Sequence, residues 1–122
     1  MEMYMKWTVI DSLISPSTGT AFSCIISCRE LKLMLWYKSS RLMMPGDEII
    51  TSDLGVFING QISQLTMCNI IPFSASLWQT MLAQSECPGN ADVKPARCDF
   101  EGECHLQKCP FGLEKYLPSL FP

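Results

Sequence analysis

The chain has 122 residues, 48% hydrophobic and 17% charged, with 9 Lys and Arg against 12 Asp and Glu for a formal net charge of −3. This length suits one domain of roughly 100–150 residues and excludes two full-sized ones, while the apolar content argues against disorder throughout, which goes with apolar-poor, highly charged chains. The acidic balance, with a pI near 5.0, excludes a general nucleic-acid binder built on a basic face and a polybasic membrane anchor.

Residues 1–14 make a poor signal peptide, with Glu2 where a positive region belongs and Asp11 inside the apolar stretch. Residues 12–20 gather Ser, Pro, Thr and Gly and are expected to form a loop. Residues 21–27 are short and rich in β-formers, which predicts a strand. Leu31, Leu33, Leu35 and Tyr37 alternate with Lys32, Met34 and Trp36. That period of two predicts a second strand, with a helix over 29–38 as its rival.

Met44-Pro45-Gly46-Asp47 reads as a turn, because Pro pre-sets φ at the first central position and Gly accepts positive φ at the second. A short strand follows over 48–51. Asn59-Gly60 between apolar runs predicts a type I′ hairpin joining strands 54–58 and 61–68. Residues 76–85 form the expected helix: Ser76 and Gln79 make a capping box, and Leu77, Trp78, Met81 and Leu82 share a face. No apolar run reaches the ~18–20 residues of a membrane span. The stretches 21–26, 31–37 and 65–73 read as core, and Cys24, Cys28 and Cys68 as small buried hydrophobes.

From Cys87 onward the texture changes, with four of the seven cysteines, the single His and five of the eight prolines. The expected division is a β-rich domain with one helix over 1–86 and a cysteine- and proline-rich tail over 87–122. The run 46–57 carries a Gly-Asp turn, a strand, Thr51-Ser52 and a Gly turn. It resembles a stretch of the β-domain of the bacterial cell-shape protein MreC, over about a tenth of the chain, and no site residue follows from it.

The tail holds a zinc-ligand inventory: Cys98, Cys104 and Cys109, with Cys87 or His105 as the fourth donor of a tetrahedral site. Gaps of ten, five and four residues separate these cysteines, and only the last is near the length of a zinc knuckle. The run 98–111 resembles the three-cysteine, one-histidine fingers that bind single-stranded RNA, matching at Phe100, Gly102 and Cys109-Pro110-Phe111. It departs in its short loops and in Gly112, Leu113 and Glu114, which stand where the closing His belongs. Disulfides and free thiols remain open for the same cysteines.

Enzyme classes narrow quickly. One His rules out a His-Glu-x-x-His metalloprotease. There is no Cys-x-x-Cys and no phosphate loop, and Asp99, Glu101 and Glu103 read as a solvated face. The expected fold class is small α+β or mainly β: an antiparallel meander with one packed helix and an irregular cysteine-rich C-terminal tail. The expected function is non-enzymatic, through protein–protein interaction at an apolar or sheet-edge surface, since several predicted strands lack guarding charges. Such an edge also suits self-association. Two alternatives stand beside it: a zinc-stabilised C-terminal module contacting RNA, and an accessory or recently arisen reading-frame product without a settled fold. Zinc is the one cofactor in view. The odd cysteine count and missing export signal point to a reducing cytoplasm.

Overall fold

The longest strand, β1 (Met5–Ser15), anchors the fold. In a computed structural model describing residues 5–39, 42–52, 54–91, 94–106 and 109–115, it sits at the centre of a seven-stranded sheet. Asp53 in the MreC-like run, Asp92 and Val93 at the start of the tail, Gln107 and Lys108 in the finger-like run, and residues 116–122 lie outside the described residues. The other strands are β2 (Thr20–Ser27), β3 (Lys32–Ser39), β4 (Glu48–Ser52), β5 (Gly55–Ile58), β6 (Gln61–Ile62) and β7 (Leu65–Pro72). Their order is β6-β5-β4-β1-β2-β3-β7, and every neighbouring pair is antiparallel.

The expectation of a loop from residue 12 is corrected. β1 runs through Ser15, and the turn is only 16–19, closed by Gly19 N donating to Ser15 O at 2.9 Å. A β-bulge at Ile10 explains the misreading, because the register passes from Val9↔Ile25 to Asp11↔Cys24. A bulge adds one residue and flips the alternation beyond it. Trp7 and Val9 before it, and Ile14 after it, therefore reach one core, while Leu13 faces the other side.

The Pro45-Gly46 turn forms as expected, with Asp47 N donating to Met44 O at 2.9 Å and Gly46 at φ 92°. The Asn59-Gly60 hairpin also forms: φ is 52° and 82°, and Ile58 pairs with Gln61. The expected strand over 61–68 is corrected. β6 stops at Ile62, and after Ser63-Gln64 the chain crosses to the opposite edge, where β7 pairs with β3. α1 spans Ala75–Ala83 and is capped two residues earlier than expected: the Ser74 hydroxyl accepts from Leu77 N at 3.3 Å.

Val56 of β5 and Leu65 of β7 lie near opposite ends of the strand order, yet both pack on one core with Trp7, Ile25, Leu35 and Ile49. The sheet is therefore curled into a half-barrel. Its other face carries a second cluster, Leu13, Cys24, Met34 and Trp78, which α1 covers. Of the three thiols expected to be buried, only Cys24 is; Cys28 and Cys68 are exposed. Among the described residues no helix is long and apolar enough to cross a membrane.

The residues after α1 return to the sheet. Cys87 belongs to the main core, with Leu106 and Phe111 packed against it. Asn90 lies in a short 3-10 turn (Pro88–Asn90) and bonds β1 through its side chain: Ile14 N donates to Oδ1, and Nδ2 donates to Ile14 O, both at 2.9 Å. Two short parallel strands, β8 (Arg97–Cys98) and β9 (Glu114–Lys115), complete the described chain.

Candidate protein-binding edge

β7 reads Leu65-Thr66-Met67-Cys68-Asn69-Ile70-Ile71-Pro72, without a charged residue. It pairs with β3 on one side only. An edge strand presents unpaired N–H and C=O groups, and lysines, prolines or covering loops usually blunt it. Here Pro72 stands only at the last position. The register shifts between Trp36 and Tyr37, where Asn69 and Met67 are their respective partners and Cys68 is the extra residue. As a result Leu65, Met67 and Ile70 turn to the concave face, and Ile71 turns to the helix-covered cluster.

On the concave face these side chains border a cavity of about 200 Å³, walled by Trp7, Leu35, Met43 and Val56 among others, with Thr51 its one polar side chain. Met67 is 36% exposed and Ile70 52% exposed. On the opposite edge, two-residue β6 leaves Ile62 66% exposed. The half-barrel thus presents an unguarded strand edge beside a small apolar hole.

A buried polar network holds Met43, one of the residues that line the cavity. The Tyr37 hydroxyl is fully buried, lies 2.8 Å from Ser23 Oγ, and accepts from Met43 N at 3.1 Å. Ser23 Oγ is 2.6 Å from Ser12 Oγ, which donates to Met43 O. Both backbone groups of Met43 are thereby satisfied, which lets this loop residue lie inside the core. Burial raises the Tyr37 pKa, partly offset by these hydrogen bonds. Burial also pushes the Cys24 thiol up to about 12, with the Asp11 carboxylate adding to the effect.

The tail residues separate into two groups. Cys87 is buried, while Cys98 and Cys109 are half-buried. Burial raises the Cys87 pKa, and the nearby Cys98 and Cys109 thiols add to the shift. Cys104 is exposed, and His105 lies against the β1–β2 turn, its backbone N donating to Pro16 O at 2.7 Å. Among the described residues no three His, Cys, Asp or Glu side chains form a group that could hold a metal ion. Glu86, Asp99, Glu101, Glu103 and His105 line an open cleft of about 670 Å³. The sequence reading missed Asn90 and the Ser12–Ser23–Tyr37 network. The signal for Asn90, an amide in a Pro-Gly-Asn turn, does not reveal that its partner lies on β1.

The sequence profile of the IraM/PmrD family matches residues 5–79. Anti-adapter protein IraM of Escherichia coli O127:H6 is 37% identical over 114 residues, covering 93% of this chain and all of that protein. The proteins of the same name from Citrobacter koseri and Klebsiella pneumoniae are 34% and 33% identical, covering 88% and 93% of this chain and 95% and 98% of their own lengths. The crystal structure of E. coli PmrD superposes with a TM-score of 0.53 at 18% identity, over 63% of this chain and 94% of that one, which shows a shared fold. The MreC-like run is thus local turn-and-strand chemistry within a different family.

Proposed function

As this chain belongs to the IraM/PmrD family, a family of non-enzymatic proteins that work through protein–protein contact, we propose that it is an anti-adapter: it occupies an adapter protein in the bacterial cytoplasm and keeps that adapter from its client. The observation that carries this reading is the match to proteins named anti-adapter, which spans 93% of this chain and the whole of the relative. We assign the contact to β7 and the cavity beside it. An extended segment of the partner adds to the β7 edge through backbone hydrogen bonds, and one apolar side chain enters the cavity. Neither step needs a metal or a cofactor.

The test is titration of the purified chain into the adapter antagonised by the E. coli relative, read by calorimetry. Saturable binding is expected, and Ile70→Glu is expected to weaken it at least tenfold, because it sets a charge at the cavity mouth. No binding by the parent chain would refute the anti-adapter reading. Full-strength binding by a folded Ile70→Glu variant would move the contact away from β7.

A further inference from the structure

Charge is unevenly spread along this acidic chain. Residues 29–41 hold four of the nine Lys and Arg, namely Arg29, Lys32, Lys38 and Arg41, against one of the twelve acids, Glu30. The stretch is therefore net positive in a protein of net charge −3. Most of it is β3, the strand that holds β7 in the sheet. Side chains alternate between faces along a strand. Leu33 and Leu35 line the cavity, so Lys32, Trp36 and Lys38 share the other face with Met34 of the helix-covered cluster. Both lysines are exposed. Trp36 is 38% exposed and stacks on Phe22, 6.0 Å between ring centroids and 7° between planes.

Nothing packed around this face neutralises the lysines. β2, β7 and α1 carry no charged residue. Asp11 of β1 is engaged by the Trp78 indole, which donates to Oδ2 at 3.3 Å. Among the described residues no carboxylate pairs with Lys32 or Lys38; the ion pair that does form, Lys6 with Glu48 at 3.2 Å, lies between β1 and β4. Lys32 also leans toward the edge. Phe73 directly follows β7, and its N–H donates to Lys32 O at 3.2 Å. The Lys32 ammonium stands 5.5 Å from the centroid of the Phe73 ring, within cation–π range, and so overhangs the line of β7.

We propose that the partner segment which adds to β7 is acidic and two-faced: apolar side chains turn to the cavity, and Asp or Glu side chains turn to the opposite face, where they meet Lys32 and Lys38. This rests on the assignment of the contact to β7 and names the chemistry of what lies there. Neighbouring strands are about 4.8 Å apart, so an added strand stands about 10 Å from β3, within the combined span of a lysine and a glutamate side chain. The uncharged β7 between them leaves the two rows in each other's field. Charge complementarity of this kind selects the partner and steers its encounter more than it adds affinity, because a basic segment in the same place is repelled. A single-stranded nucleic acid, with bases stacked on Trp36, fits less well: two lysines neutralise few phosphates, and the rest of the chain is net negative.

The experiment titrates the full chain with a blocked heptapeptide alternating Glu with Val and Leu, with the same peptide bearing Lys for Glu, and with a thymidine oligonucleotide, followed by amide and indole NMR shifts. The acidic peptide is expected to shift signals of β7 and β3, the Trp36 indole included, and to bind at least about tenfold more tightly than the basic one. Raising salt from about 50 to about 300 mM is expected to narrow that gap. The Lys32→Gln/Lys38→Gln variant, changed only at exposed positions, is expected to bind the acidic peptide about three- to tenfold more weakly. Equal binding of both peptides, preference for the basic peptide or the oligonucleotide, shifts confined to other elements, no binding at all, or unaltered affinity in the folded Gln variant would each overturn the proposal. The adapter titration fails separately. A chain that takes the acidic peptide at β7 but not the adapter keeps this surface and loses the anti-adapter reading; a chain that binds the adapter but shows no preference for the acidic peptide does the reverse.

Discussion

Replacing Asn90 with Ala tests how the tail is held. β4 pairs with β1 only from Met5 to Thr8, after which Val9 bonds Asp47 O and Gly46 N at 2.9 and 2.8 Å. On that side of β1, the Ile14 N–H and C=O bond the Asn90 amide, each at 2.9 Å. Ile14 is 4% exposed, so water does not readily replace the amide. Leaving a buried backbone group unpaired costs about 1–3 kcal/mol. Two such groups, allowing for partial relaxation, give a loss of about 2–4 kcal/mol. With a urea slope of about 2 kcal/mol/M, the unfolding midpoint falls by about 1–2 M. Tryptophan fluorescence serves as the probe, because Trp7 and Trp78 report on separate clusters. Asn90→Asp refines the test: it keeps an acceptor for the Ile14 N–H but sets a carboxylate against Ile14 O. That repulsion raises the folded carboxyl pKa, so the variant is more stable in acid and loses that stability as pH rises through the folded value. Losses below about 0.5 kcal/mol in Asn90→Ala would refute the view that this amide stands in for a strand.

Trp78→Ala empties the helix-covered cluster and is expected to cost about 3–5 kcal/mol in urea unfolding. Trp78→Phe loses mainly the 3.3 Å bond to Asp11 Oδ2 and should cost far less. Gly89→Ala drives a methyl into Phe111 and is expected to cost about 1–3 kcal/mol, recovered in part by the Gly89→Ala/Phe111→Leu double variant; thermal melts decide it. Alkaline unfolding should show the buried Cys24 thiol, whose pKa rises from an ordinary 9.0 to about 12 on folding. Its contribution is intact below pH 9 and declines as pH climbs toward 12, by about 1.4 kcal/mol per unit, and Cys24→Ala should flatten that decline.

Much of the sheet was legible because it is written locally. Residues 21–27 and 31–37 carry strand composition and alternation, and Pro45-Gly46 and Asn59-Gly60 carry the backbone freedom their turns require. β1 was not legible. Its bulge at Ile10 breaks the period of two, and its end, residues 12–15, looks like loop until Ser23 and Tyr37 are seen to complete the polar network with Ser12. The crossing from β6 to β7 was hidden for a different reason: the apolar pattern of 61–68 does not say which strand it will pair with. The same omission explains Cys68, which sits in an apolar run that becomes an edge and is exposed. Of the proposed site, the missing charges were readable in the sequence. The cavity was not, since it is made by curvature that brings Val56 and Met67 to one hollow.

Magnitudes indicate why the edge and the hollow must act together on the proposed reading. An eight-residue edge strand turns about four residues outward, and in an antiparallel ladder each offers one N–H and one C=O, about eight backbone hydrogen bonds. At about 0.5–1.5 kcal/mol net each, these give roughly 4–12 kcal/mol. Micromolar binding needs about 8 kcal/mol beyond the roughly 4–15 kcal/mol that association costs in lost freedom. Backbone pairing alone therefore sets direction and register but falls short of a stable complex. A dry cavity of about 150 Å³ can hold a benzene ring, and this one is about 200 Å³. Fully burying one Leu- or Phe-sized side chain adds about 1.5–3 kcal/mol, and covering exposed Met67 and Ile70 adds to it. Two perturbations then separate the roles. Val56→Phe, which fills the hollow from within, is expected to weaken binding while leaving the edge intact. Met67→Pro, which bends or caps the edge, is expected to abolish it. Equal tolerance of both substitutions in folded variants would mean that neither feature holds the partner.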